Sequence, residues 1–507
     1  MKKSILTIFS MAILALGCDS KQRGDGENDM DDHEQYRPQF HFSPKNGWMN
    51  DPNGMVYLNG KYHLFFQHNP DSNVWGPMHW GHAISEDLIH WEEQAIALFP
   101  DSLGTIFSGS AVVDKDNTAG FGENALVAIF THHSHEVEEA KTGLHQNQSL
   151  AYSTDEGKTW TKYEGNPVLP NPGIWDFRDP KVMWHENSKQ WIMTLATKQT
   201  ITFYGSPDLK QWTRLSEFGE NIGAHGGVWE CPDLFSLSVD GEGKWVLIVS
   251  INPGGPNGGS ATQYFVGQFD GKSFVPDHQD TRWLDYGPDD YAGITWSNTG
   301  DRKVFIGWMN NWQYANEVPT EAWRGAATIA RELELKKVGE DVFLTSTPVK
   351  ELEHIVEDAH TENDLMIEGN HDLSTKVKSF EGKYLLELKG ADRESFAVKL
   401  ANELGEEILI GYDKQQNTYY IDRSKSGKID FESDFGQRHE APRIAKGEKL
   451  QMKLLIDVAS VELFADDGLS VMTSVFFPNQ VFDQLLVQSS GELNVGDLTV
   501  ANIQHTL

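Results

Sequence analysis

The chain has 507 residues, with 42 lysines and arginines against 75 aspartates and glutamates, a formal net charge of −33. So acidic a surface repels a phosphate backbone and argues against nucleic acid as a partner. Two cysteines cannot build a disulfide scaffold, and 39% hydrophobic and 11% aromatic content rule out wholesale disorder. The long apolar run at residues 4–17 is short for a spanning helix.

Taken in order, the chain opens on an address. Lys2 and Lys3, the apolar stretch Ile5 to Leu16, and Ala15-Leu16-Gly17 before Cys18 resemble a bacterial lipoprotein signal, cut after residue 17 so that Cys18 is acylated. Residues 19–35 carry seven acids and two bases, so 18–38 reads as a flexible acidic tether. The implied location is the cell envelope, with membrane association only through the N-terminal lipid. From Phe40 onward helical periodicity is nearly absent. Short apolar or alternating runs such as 55–68, 125–131, 191–197, 245–251 and 303–309 are separated by Gly, Asn, Asp and Pro, the pattern of an all-β protein.

An echo runs through this region. Ser85-Glu86-Asp87 leads to Trp91, Ser153-Thr154-Asp155 to Trp160, Ser206-Pro207-Asp208 to Trp212, and a weaker copy from Asp270 to Phe274. One such turn per four-stranded sheet is what a β-propeller shows. The pattern changes near residues 335–360, where 351–358 is expected as a short helical connector. Later runs such as 383–390, 449–459 and 484–490 read as a β-sandwich. The expected organisation is propeller 39–345, linker 346–360 and sandwich 361–507.

Three acidic motifs lie on different expected blades. Trp48-Met49-Asn50-Asp51-Pro52-Asn53-Gly54 holds Asp51 at a turn. In Asp176-Phe177-Arg178-Asp179-Pro180 the guanidinium is expected to keep Asp179 ionised, and Trp229 and Cys231 are expected to raise the pKa of Glu230. Propeller blades converge on a channel, so the three acids can meet. One ionised and one elevated carboxyl beside aromatic platforms is the constellation of glycoside hydrolysis.

These motifs, together with Phe107-Ser108-Gly109-Ser110, Trp296, Gly307 to Trp312 and Trp323-Arg324-Gly325, resemble glycoside hydrolase family 32, which contains invertases, inulinases and levanases. The resemblance covers Phe40 to Leu507 and implies a five-bladed propeller with a C-terminal sandwich. It also implies Asp51 as nucleophile, Glu230 as acid and then base, and Asp179 as stabiliser of the transition state. Asn50, Gln67, Trp75, Phe107, Ser108 and Arg178 match positions lining a fructose pocket, with Trp48 as an apolar wall and Asp289, Trp308 and Trp312 nearby. Retention is implied, with the Asp51 and Glu230 carboxyls about 5–5.5 Å apart. The implied substrate is a fructan or fructo-oligosaccharide, cut from its end because the Trp75 segment resembles an exo-type pocket wall. An endo-acting levanase, a transfructosylase and a non-catalytic glycan-binding lipoprotein are the alternatives. No cofactor or metal is expected. Thr131-His132-His133-Ser134-His135-Glu136 reads as a solvated loop because of its polar flanks, and the Gly-rich 252–259 as a loop at the pocket rim.

Overall fold

A computed structural model of the protein describes residues 34–506. The leader, Cys18 and most of the acidic tether lie outside the described residues. Within them, five antiparallel sheets follow one another along the chain. Their innermost strands are Gly47–Leu58, Thr105–Asp114, Phe177–His185, Val228–Val239 and Tyr291–Thr295, each packed beside the next, with the last beside the first. This is a closed five-bladed propeller. The first blade also takes up the short parallel strand Trp323–Arg324, which pairs with Gly47 and Trp48 and joins the last blade to the first.

The sequence echo has a physical origin. In the first blade Asp87 Oδ1 accepts from the backbone N–H of Ile89 and His90 at 3.0 and 2.8 Å, and Ser85 Oγ accepts from Leu88 N at 2.8 Å. Asp208 and Asp270 fold the same turn by accepting from the N–H of Lys210 and Gln211 and of Lys272 and Ser273, and Asp155 caps a longer turn by accepting from Thr159 N, four residues on. Side-chain capping of this kind satisfies the backbone of a tight corner. Each turn delivers its aromatic residue into the core between its own blade and the one before it. Trp91 packs between blades five and one, Trp160 between one and two, Trp212 between two and three, and Phe274 between three and four. The fifth blade lacks the motif because Arg331–Val338 and Asp341–Pro348 are joined directly through Gly339-Glu340, with Gly339 at φ +70°.

All five inner strands carry a register break near one mouth of the channel, between residues 50 and 52, 106 and 109, 178 and 181, 230 and 233, and 291 and 294. Three of the breaks hold a non-glycine residue at positive φ: Asp179 (63°), Cys231 (45°) and Ala292 (54°). Bulges re-aim side chains at the rims of closed sheets, and left-handed non-glycine residues persist only where surrounding contacts fix them.

After Pro348 the chain forms a short 3-10 helix, Lys350–Ile355, and then the strand Val356–Asp372, so the helical connector expected at 351–358 ends at Ile355. The second half is a sandwich-like sheet hinged on the 20-residue strand Gln484–Ile503. That strand pairs with Phe396–Ala401 along residues 484–489 and with Tyr384–Asp392 along 497–502. The two halves close over a buried aliphatic core that includes Leu386, Leu388, Val398, Ile410, Leu454 and Leu463.

The seam with the propeller is charged as well as apolar. Arg331, fully buried, donates to Asp285 (2.9 Å), to Asp290 (3.0 Å) and to Glu462. His41 bridges Asp457 and Glu462 at 2.8 Å each. Arg423 donates to Asp289 at 2.7 Å.

Candidate active site

The register breaks gather one residue set at the channel mouth. A cavity of about 290 Å³ is lined by Asn50, Asp51, Gln67, Trp75, Phe107, Ser108, Arg178, Asp179, Glu230 and Trp312 from the predicted set. Its wall also contains His133, Glu138, His145, Gln146, Trp175, Asp176 and Asn252. Trp75 and Trp175 are each 38% exposed, unusual for indoles in so well packed a molecule, and stand at its edge. The Trp75 segment is tied down by a hydrogen bond from Trp75 N to Asn316 Oδ1 (3.0 Å) and one from Asn73 Nδ2 to the Glu321 carbonyl (2.6 Å). Asn252, the first residue of the Gly-rich segment, joins the wall, and Gly254 and Gly255 both donate to the Gly259 carbonyl to fold the rest of the loop.

Asp51 is held by neutral donors. Asn50 Nδ2 donates to Oδ1 at 2.8 Å, and Ser108 Oγ and the Cys231 thiol donate to Oδ2 at 2.7 and 3.4 Å. Burial, then the charge of Glu230, pushes the Asp51 pKa up; the Ser108 and Asn50 bonds oppose them. Trp48 supports this arrangement from behind, since its indole N–H donates to Asn50 Oδ1 at 2.7 Å. Gln67 pairs across the sheet from Asn50, and its Nε2 has no protein acceptor, leaving a donor in the cavity wall.

Asp179 accepts from the backbone N–H of Cys231 at 3.0 Å and lies 3.6 Å from the Cys231 sulfur. Burial pushes its pKa up to about 7; Arg178 lowers it, but the charges of Glu230 and Asp51 add to the rise. The expectation that Arg178 holds Asp179 ionised is therefore corrected. The guanidinium turns instead to Glu230 Oε1 (3.0 and 3.2 Å) and to Asp176 Oδ1 (2.7 Å). Glu230 Oε2 accepts a short hydrogen bond from the Tyr291 hydroxyl. The apolar surroundings expected for Glu230 are absent. Trp229 points into the core between blades three and four and donates to the Ala224 carbonyl, while the bulge swings the Cys231 thiol to the two aspartates. Burial and the neighbouring carboxylates push that thiol's pKa up and keep it protonated.

Three predicted pocket residues lie elsewhere. Asp289 is fully buried in the seam, where Arg423 Nη1 and Val475 N donate to it at 2.7 and 2.9 Å and Tyr314 donates a short bond. A carboxylate paired so completely with the sandwich is a structural link and does not reach the cavity. Trp308 is wholly enclosed behind the wall, packed against Trp48, Trp312 and Tyr291. Trp48 is also enclosed, so of this aromatic group Trp312 lines the cavity, stacked on Trp48 at 5.8 Å.

The reading of residues 131–136 as a solvated loop is corrected as well. Thr131, His132 and His133 close the buried strand Ala125–His133, and Ser134 caps a one-turn helix, His135–Glu139. Gln146 and Tyr291 were missed by sequence reasoning. Gln146 orients the Arg178 segment by accepting from Phe177 N at 2.8 Å. Tyr291 opens the fifth inner strand, the place that Asp51, Ser108, Asp179 and Glu230 occupy near the starts of the other four, and that positional equivalence was the available signal. A larger cavity, about 580 Å³, lies at the far end of the inner strands. Its Lys181 and Asp233 are already paired with each other at 3.0 Å.

The family comparison places the whole fold. Residues 41–348 match the glycosyl hydrolases family 32 N-terminal domain, and residues 349–504 match the family 32 C-terminal domain. A levanase of Bacillus subtilis (strain 168) is 47% identical over 483 residues, covering 92% of this chain and 70% of that protein. The extracellular exo-inulinase inuE of Aspergillus niger is 39% identical, covering 93% of this chain and 95% of that protein. The crystal structure of an exo-inulinase from Aspergillus awamori superposes with a TM-score of 0.85 at 36% identity, covering 94% of this chain and 99% of that one. Spanned from residue 41 to 504 by the two models, the chain belongs to glycoside hydrolase family 32.

Proposed function

We propose that this enzyme removes terminal fructosyl units from β-fructans of the levan or inulin type, with retention of configuration. The observation that carries the proposal is the convergence of Asp51, Asp179 and Glu230 in one small cavity, with only Arg178 as counter-charge. Levanase and exo-inulinase are the names of its relatives. The cavity, at about 290 Å³, is near the lower limit of roughly 300–1,000 Å³ for small-molecule pockets. That size suits the end of a chain and not a groove along it.

In the proposed reaction Asp51 attacks the anomeric carbon, and its neutral donors hold the attacking oxygen without quenching its charge. Glu230, steered by Arg178 and Tyr291, protonates the departing oxygen and then takes a proton from water. Asp179, anchored by the Cys231 amide, binds sugar hydroxyls. Burial, with the charges of Glu230 and Asp51, raises the Asp179 pKa, so Asp179 holds a proton in the cavity toward neutral pH. Gln67 Nε2 offers a further sugar-hydroxyl donor. We also propose that Cys18 anchors the enzyme to the cell envelope through lipid; the leader sequence supports this, and mass spectrometry of the mature N-terminus tests it.

Product analysis on levan and inulin tests the activity. Free fructose alone at the earliest time points supports the reading, and an early ladder of oligosaccharides contradicts it. Glu230→Gln is expected to lower turnover roughly 10²–10⁴-fold while sugar binding persists. Full turnover in that variant would refute the acid assignment.

A further inference from the structure

The cavity wall holds a second set of donor atoms that fructosyl transfer does not use. His133 ends the second strand of the second blade, and the capped turn that follows brings His135 and Glu138, three residues apart, to the same side. His133 Nε2 lies 3.2 Å from His135 Nδ1 and 3.1 Å from Glu138 Oε2, and the third edge, His135 Nδ1 to Glu138 Oε2, is 3.6 Å. Three ligand atoms bound at 2.0–2.2 Å around a tetrahedral zinc ion are about 3.3–3.6 Å apart. The triangle therefore has the dimensions of one face of such a site.

Hydrogen bonds account for two of the three edges, His133 Nε2 to His135 Nδ1 and to Glu138 Oε2. The third, His135 Nδ1 to Glu138 Oε2 at 3.6 Å, then leaves two lone pairs facing each other. A cation at the centre satisfies all three atoms at once. The rings are also held in place. His133 stacks on Phe107 at 4.2 Å with the planes 4° apart, and the edge of His135 meets Trp75 at 6.2 Å. The ring of His145, itself buried with no protein partner on Nδ1, stands edge-on to His133 at 5.3 Å.

We propose that His133, His135 and Glu138 form a binding site for a divalent transition metal ion of the zinc class, with a fourth coordination position open to the cavity. Two histidines and a carboxylate with one open position is a recognised zinc set. His133 and Glu138 both face the space that holds the three acids, so the open position is within reach of water or of a sugar hydroxyl. Ligation at His133 Nε2 moves the ring proton to Nδ1, where the Gln146 amide nitrogen is 3.3 Å away. Losing that long bond sets a moderate affinity.

The experiment is calorimetric titration of zinc chloride into the full chain after chelator treatment, with cobalt(II) absorption as a geometric probe. One ion per chain is expected, with a cobalt spectrum of low coordination number. His135→Ala and Glu138→Gln, checked for folding by thermal melts, are each expected to weaken binding by roughly 10–100-fold or more. Asp51→Asn is expected to bind as the parent does. No binding at millimolar zinc, unchanged binding in both ligand variants, or loss confined to Asp51→Asn would overturn the proposal. The binding readout does not depend on hydrolysis, so failure of the proposed activity and failure of this site are separately visible.

Discussion

At the channel mouth, Asp51, Asp179 and Glu230 line one cavity with Arg178; at the seam between propeller and sandwich, Asp285, Asp290 and Glu462 share Arg331. Each cluster has three acids and one arginine, wholly buried at the seam and partly exposed at the mouth. In the seam every acid converges on the guanidinium, and Thr473 and the Ile329 amide supply further donors. At the mouth the guanidinium takes Glu230 and the extra acid Asp176, while Asp51 and Asp179 are held by neutral donors beside open space. The same groups thus build a scaffold when every acid is enclosed and paired with the guanidinium, and a reactive site when some carboxylates still face a cavity. Unrelieved carboxylate repulsion is tolerable at the mouth because the seam and the blade cores supply the stability elsewhere.

The comparison breaks if the two clusters respond alike to loss of a carboxylate. Asp51→Asn is expected to lower turnover by roughly 10⁴-fold while the melting temperature holds or rises, because one repelling charge has gone. Glu462→Gln in the seam should do the opposite. It takes from Arg331 the carboxylate that accepts from both Nε and Nη2 and costs about 3–5 kcal/mol of stability, with near-parental turnover in the fraction that remains folded. Denaturant melts and activity measured on the same preparations check both. Comparable activity losses in the two variants would erase the distinction.

A smaller effect sharpens the electrostatics of the mouth. Burial, with the charges of Glu230 and Asp51, raises the Asp179 pKa to about 7, so this carboxyl loses its proton as pH rises through neutrality and kcat/KM should change across that limb. Asp179→Asn removes the titrating group, which should abolish that limb as well as slow turnover. A limb that survives the substitution would show that another group sets it.

The smallest expected effect lies at the seam. Burial alone pulls the His41 pKa down, but hydrogen bonds to Asp457 and Glu462 outweigh it and raise it to about 9. A folded-state pKa above the unfolded value means that the contribution is complete below about pH 6.5 and is lost as pH rises toward 9. A stability decline on the order of 3 kcal/mol across that window is expected, and His41→Gln should flatten it. A parental stability that is level from pH 6.5 to 9 would contradict this assignment.

Much of the fold was legible because the propeller repeats a local device. A capping aspartate and an inter-blade aromatic must lie close in sequence, so Asp87 with Trp91 and Asp208 with Trp212 appear as visible copies. The fifth blade turns on Gly339-Glu340 and leaves no such trace. At the site, residue identities could be read but directions could not. Bulges at 178–181 and 230–233 decide that Arg178 faces Glu230 and that the Cys231 thiol faces the two aspartates, and a register break leaves no mark in composition. The family resemblance assigns Asp289 to the pocket, and nothing local in the sequence shows that its partner Arg423 lies 134 positions away in the sandwich. The His133 and His135 pair looked solvated because the polar flanks are visible in sequence and the burial of His133 under Phe107 is not.

The central claim is that Asp51 and Glu230 carry out a retaining, end-directed cleavage of fructans in this cavity. Time-resolved NMR of the first product released from levan and inulin tests it most directly. The account predicts free fructose released first as the β-furanose anomer, from at least one of the two polymers. First release of the α anomer, or of oligosaccharides ahead of fructose, would contradict it.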